Sequence, residues 1–374
     1  VSVRRVCIVT GSRAEWGLLR PVAVAVTKRR ELELEIVAAG SQLLPSAQTW
    51  RDIDLPIDSK VPMQQPGLSG RLADAEALGR GVSGFASTFA TLKPDWVVVL
   101  GDRIEAFAAA AAASVGGLAV AHIHGGDRAE GIADEAMRHA ITKLAHLHLA
   151  ATPQSMDRII RMGEPTERVK CVGSPAIDAL AEMPLIDESH FRALGSPELV
   201  ALLHPAGLPE DGERAYAEAM AEAMMGRRVL WLAPNHDPGR ESITGRMHEA
   251  ARGGVMCAEH LPREQFVGLL KRLSRDGGAL IGNSSAGLIE AAALQCPVVN
   301  IGPRQAGRER PNNVVQVDEP DASAIRRAIE QATGIDRMAI RHPYGQGTAG
   351  SAIADLLAAV DPHASGFLRK HNTY

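Results

Sequence analysis

The chain is poor in aromatic residues, at 3% of 374 positions. Ala and Leu must therefore carry the core, which suits helices packed on a sheet. Cysteine is also scarce. Cys7, Cys171, Cys257 and Cys296 lie far apart with no CxxC spacing, which argues for a reducing compartment and against a structural zinc. No excess of positive charge is present: the formal net charge is -4 and no long basic run occurs. Nucleic acid is thus an unsupported partner. No apolar run reaches the roughly 20 residues that span a bilayer, and the N-terminal residues do not read as a signal peptide. A soluble, cytoplasmic protein is expected, with no membrane partner. Short-period repeats and low-complexity segments are missing too.

What is there is a globular chain, 45% hydrophobic, whose length favours two domains. Short apolar, β-branched runs alternate with helical patterns. Strands are expected at 3–10, 34–39, 95–100, 118–123 and 147–150, with helices at 105–114 and 134–143 and another following the turn at 11–17 to about 29. The pattern restarts after Pro184, with strands at 199–203, 229–232, 278–281 and 298–301. Such alternation indicates parallel, doubly wound sheets. The polar motifs fall just after strand ends, where ligands bind in such sheets. The fold class is thus α/β with two Rossmann-like domains, at 1–183 and 184–345. The stretch 184–197 is the expected linker. A terminal segment, 346–374, contributes a last helix at 349–360 that is expected to pack back on the first domain.

The segment Gly282-Asn283-Ser284-Ser285-Ala286-Gly287-Leu288-Ile289-Glu290 follows a short strand and leads into an Ala-rich helix at 291–294. Its hydroxyls, free backbone N–H groups and helix-end partial charge suit a diphosphate. Glu290, one turn in, suits a ribose diol. A plain serine-capped turn would carry the same letters.

Taken in order, the motifs GSRAEWG (11–17), LGDR (100–103), HIHGGD (122–127), DEAMRHAITKLAHLH (134–148), HP (204–205), PNHDPG (234–239), GNSSAGLIE (282–290), NIGPRQAGRE (300–309) and HPYGQG (342–347) resemble those of the hydrolysing UDP-N-acetylglucosamine 2-epimerases. The resemblance covers nearly the whole chain. It implies a glycosyltransferase-B-like fold with the active site in the interdomain cleft. GSRAE, the His-Pro pair and GNSSxG point to the hydrolysing branch. The implied reaction is UDP-N-acetylglucosamine plus water giving N-acetylmannosamine plus UDP, feeding nonulosonic acid synthesis. UDP-sugar and UDP are the implied partners, no cofactor is implied, and family members are commonly dimers or tetramers.

That reaction needs a base for the proton at sugar carbon 2, stabilisation of the leaving UDP, and hydration of a glycal intermediate. The resemblance assigns catalytic roles to Asp102 and Asp134. Either could instead cap the helix that follows it. Arg138 and His139 extend the second motif and would order the carboxylates. His204 matches the cleft histidine of the second domain, or is simply a strand-end residue. Ser12, Arg13, Glu15 and Arg103 match positions around the nucleotide and diphosphate. Asn283, Ser284, Ser285 and Glu290 match the phosphate- and ribose-binding turn. Arg304, Gln305 and Arg308 read as a diphosphate and sugar clamp or as a solvated loop, and Asn235 and Asp237 as cleft-shaping residues.

Two positions depart from the family pattern. His124 stands where many members have Glu, which leaves the base at carbon 2 open between His124 and Asp127. Gln42 stands where His is usual, and Gln cannot become cationic at neutral pH. Together they suggest a sugar other than plain N-acetylglucosamine, such as its 2,4-diacetamido-2,4,6-trideoxy analogue of the legionaminic acid route. His122 and His124 share a strand face, but no third metal ligand is fixed by the sequence, so no metal site is expected. A glycosyltransferase or a non-catalytic UDP-sugar binder on the same frame are the alternatives.

Overall fold

The computed structural model describes residues 3–45, 47–68, 70–128, 135–235, 237 and 239–373. It divides into two compact units. The described residues up to Asp127, from Glu135 to Asp178 and from Gly345 onward form the first, and Arg128 with Ala179–Tyr344 the second. Each unit is a parallel α/β sheet with interleaved helices, the architecture expected from the alternating pattern.

In the first unit the strands are β1 (Arg4–Thr10), β2 (Leu32–Ala39), β3 (Ser59–Val61), β4 (Trp96–Leu100), β5 (Ala119–Ile123), β6 (Leu147–Ala150) and β7 (Val169–Cys171), ordered 3-2-1-4-5-6-7. Ile8 pairs with Ile36 on one side and Val98 on the other. The period-2 alternation of β1 sends Val6 and Ile8 to one apolar layer, and Cys7 and Val9 to the opposite one. Both faces are therefore covered, which explains why β4 and β5 are continuously apolar or buried rather than alternating. The first layer also takes Ile353, Ala354 and Leu357 of the terminal helix Ala349–Ala359. Asp178 caps that helix, its carboxylate accepting the N–H groups of Ala349 (3.0 Å) and Gly350 (2.6 Å).

The second unit contains β8 (Leu199–Leu202), β9 (Val229–Leu232), β10 (Met256–Ala258), β11 (Ala279–Gly282), β12 (Val298–Ile301) and β13 (Val314–Val317), ordered 10-9-8-11-12-13. The stretch 184–197 lies within this unit. It forms a short helix, Glu188–Ala193, and buries Ile186 and Phe191 in the core.

Strand order reverses between β1 and β4 in one sheet, and between β8 and β11 in the other. Chain segments diverge at such points and leave a crevice past the strand ends. The Gly11–Arg13 and Gly101–Arg103 turns leave β1 and β4, while His204 and Ser284 follow β8 and β11.

Candidate functional site

In the first unit, β5 ends at Ile123 and the backbone turns sharply. His124 adopts φ 62° and Gly126 φ 74°. A left-handed histidine is uncommon and needs its surroundings to hold it. Here both ring nitrogens are engaged in the interior. Nδ1 meets Asp127 Oδ2 at 2.8 Å, and Nε2 meets Ser174 Oγ at 2.9 Å. An Nδ1–H donating to Asp127 would leave Nε2 to accept the Ser174 hydroxyl. Ser174 in turn accepts the Ala176 N–H (3.2 Å), and Asp127 Oδ1 accepts the Ser155 hydroxyl (2.8 Å). The Asp–His–Ser order resembles a hydrolase triad, yet Ser174 has no exposed surface and so cannot act as a nucleophile. His124 is 5% exposed and both its ring nitrogens face interior partners.

Arg138, buried on the helix Glu135–Leu144, draws on that frame. Its Nη1 donates to the His124 carbonyl (3.2 Å), and its Nη2 grips Asp102 Oδ2. Asp102 does not cap the helix that follows it. The cap position of Ile104–Val115 is Arg103, with no side-chain hydrogen bond. Asp102 keeps a partly exposed carboxylate, whereas Asp127 is sealed. His122 points elsewhere: its Nε2 donates to the Gly101 carbonyl (2.8 Å), and burial lowers its pKa to about 3. Asp134 lies outside the described residues. Among those described, no group of three or more potential metal ligands occurs.

A second cluster joins the ends of β1 and β2. Ser12 caps the helix Arg13–Thr27 by accepting the Glu15 N–H, and Arg13 pairs with Asp52 (3.2 Å). Glu15 is buried and accepts the Gly11 N–H. Burial, reinforced by the charge of Glu105, raises its pKa to about 7 against the pull of the Gly11 N–H and Arg103. Gln42 is buried and donates to the Thr10 carbonyl, so it braces the turn from inside. Glu105, which the sequence reading passed over, is fully buried at its centre. It meets Arg103 Nε (3.4 Å), Gln64 Nε2 (3.0 Å) and the Ser41 N–H (3.4 Å). A Cβ at Gly40 would lie 2.1 Å from Glu105 Oε1, and one at Gly11 2.7 Å from Glu105 Cβ. Only glycines leave room for this side chain.

The second unit builds its cluster around His204. Asn283 brackets the His204 peptide, accepting its N–H (2.7 Å) and donating to its carbonyl (2.8 Å). His204 Nδ1 accepts the Asn235 N–H (3.0 Å), which places the ring proton on Nε2. Burial, then the charge of Arg304, lowers its pKa to about 3. His204 is therefore a neutral hydrogen-bond donor. Glu213, also passed over by the sequence reading, accepts the Ala206 and Leu208 N–H groups (2.7 and 2.9 Å) and shapes the loop after Pro205.

Arg304 donates to the carbonyls of Pro205 (3.0 Å) and Asn283 (3.4 Å) and approaches Asp237 (3.8 Å), whose Oδ2 accepts Asn235 Nδ2. Gln305 donates to the Asn283 carbonyl at 2.8 Å. Arg308 Nε donates to the Arg128 carbonyl at 3.3 Å. The Ser turn is tighter than the Ala-rich sequence suggests. Ser284 caps a four-residue turn, Ser285–Leu288, the chain breaks at Ile289, and Glu290 opens a second turn to Ala293. Glu290 meets Arg263 at 3.5 Å.

The chain matches the UDP-N-acetylglucosamine 2-epimerase family model over residues 24–358. It is similar to the UDP-N,N'-diacetylbacillosamine 2-epimerase (hydrolyzing) of Legionella pneumophila, at 32% identity over 100% of both chains. The UDP-N-acetylglucosamine 2-epimerase of Neisseria meningitidis serogroup B is 28% identical over 90% of this chain and 89% of its own. A crystal structure of a Neisseria meningitidis UDP-GlcNAc 2-epimerase bound to UDP-GlcNAc superposes with TM-score 0.80, covering 94% of this chain and 99% of that one at 21% identity.

Proposed function

Since this chain belongs to the UDP-N-acetylglucosamine 2-epimerase family, we propose that it is a hydrolysing 2-epimerase. Its substrate is a UDP-linked 2-acetamido sugar, which it converts with water to the free 2-epimer and UDP. The base removes the proton from sugar carbon 2 while the bond from carbon 1 to the UDP oxygen breaks. Water then adds at carbon 1, and a proton returns to carbon 2 on the opposite face.

The observation that carries this reading is Asp102, a partly exposed carboxylate past a strand end, aimed by a buried arginine. Asp102 takes the base role, and His124 and Asp127 hold Arg138 in place behind it. In the second unit the hydroxyls and backbone N–H groups at Ser284 and Ser285 suit the diphosphate, and Glu290 the ribose. The neutral His204 Nε2–H donates to an oxygen as charge develops on it.

For the sugar, the full-length relative named for UDP-N,N'-diacetylbacillosamine favours that substrate, while the buried His124 and Gln42 side chains, bonded inside the first unit, add no argument for it. The Neisseria relative favours UDP-N-acetylglucosamine as the second reading. Paired incubations in deuterated water, followed by NMR, decide. UDP release with a product deuterated at carbon 2 is expected, faster with the diacetamido substrate. Turnover without deuterium at carbon 2 would point to sugar transfer, and UDP binding without turnover to a binder; either sinks the proposal.

A further inference from the structure

Glu164 is a fully buried carboxylate that the chemistry above does not use. It follows the helix Pro153–Arg161, and three cationic or ionisable groups from different elements converge on it. His148 Nε2 of β6 lies at 3.0 Å, Lys143 Nζ at 2.6 Å, and Lys370 Nζ of the terminal tail is in direct contact. Burial alone would push Glu164 up, but the hydrogen bonds from His148, Lys143 and Lys370 outweigh it and hold its pKa at about 2. Lys370 also donates to the carbonyls of Ala145 and Thr142 (3.5 Å for Thr142), at the buried acceptor end of the helix Glu135–Leu144. A cation there satisfies orphan carbonyls and complements the helix dipole.

The rest of the tail is fastened alongside. Phe367 packs edge-on against Trp96 (5.6 Å between centroids), Arg168 lies over its ring (4.7 Å), Asn372 accepts from Lys143 (2.9 Å), and the Thr373 N–H reaches the Gly163 carbonyl (3.1 Å). The helix so held carries Arg138 two turns earlier, and its Thr142 hydroxyl donates to the Arg138 carbonyl (3.0 Å).

We propose that residues 361–373 form a strap, with Lys370 as a positioning residue that fixes the register of the Arg138 helix from its far end. Its effect on turnover rests on the reading of Asp102 and Arg138 given above. The test compares wild type, Lys370→Met and Lys370→Arg by hydrogen exchange of residues 135–144, by turnover of UDP-N,N'-diacetylbacillosamine and UDP-N-acetylglucosamine, and by UDP titration. Lys370→Met is expected to speed exchange across that helix and lower kcat by at least about tenfold, with UDP affinity kept within about twofold; Lys370→Arg restores both. Unchanged exchange in Lys370→Met overturns the strap. Faster exchange with unaltered kcat overturns Lys370 as a positioning residue, while the turnover of Asp102→Asn tests the reading of Asp102 separately. Should Lys370→Met not fold, the charge-balanced pair Glu164→Gln with Lys370→Met carries the same measurement.

Discussion

In the proposed mechanism Asp102 is the residue on which the chemistry turns. Asp102→Asn keeps the shape and the Arg138 contact but removes the proposed base. A turnover loss of about 10²–10⁴ is expected, with UDP affinity unaltered because the Ser284 turn is untouched; steady-state kinetics with UDP calorimetry checks both. Much of the residue-level reading was legible because the motifs fall next to strand ends. What stayed hidden were long-range partners. Glu164 and Glu213 sit among charged or polar neighbours in sequence and look like surface acids, and Glu105 opens an Ala-rich run where an acid at a helix start is unremarkable, yet all are buried. Their partners lie on other elements, and local spacing says nothing of those. The engagement of both His124 nitrogens was equally hidden, since Ser174 is 50 positions away.

Among the elements, the central strands were legible from apolar β-branched runs, and their observed ends fall within a few residues of expectation. The edge strands β3, β7 and β10 are only three residues long, too short for a periodicity to register. The helix Arg71–Leu92 was not anticipated. Its Gly79, Gly81 and Gly84 lower helix propensity, but Gly81 allows close approach of Met63 and Ala108. The Ala run after Glu290 promised one helix, whereas Ile289 (φ -103°, ψ -72°) splits it into two turns. Gly282 explains part of that geometry. It has φ 138°, and a Cβ there would lie 2.1 Å from the Leu202 carbonyl. Gly282→Ala should therefore cost at least about 2 kcal/mol and weaken UDP binding, as read by urea unfolding and UDP titration; wild-type stability would show that the turn relaxes freely.

At the scale of the whole molecule, acid stability should depend on Glu164. Its folded-state pKa, about 2, lies below the usual 4.5. The stabilisation is thus present above pH 4.5 and lost as pH falls toward 2, amounting to about 3 kcal/mol. Melts of wild type and Glu164→Gln between pH 6 and 3 should converge toward the acid end; parallel curves would remove Glu164 from the account. The two-sheet α/β architecture was legible in the alternating pattern, since each strand–helix step repeats the same physical demand for two covered faces. One consequence of the packing at the ends of β1 and β2 concerns inheritance. Glu105 occupies the space that side chains at Gly11 and Gly40 would need. These three positions are therefore coupled unequally: shortening residue 105 would remove the carboxylate from beside Gly40 but leave its left-handed backbone (φ 72°), and would leave at Gly11 the clash with the Cβ of residue 105, so both glycines stay fixed while any side chain stands at 105.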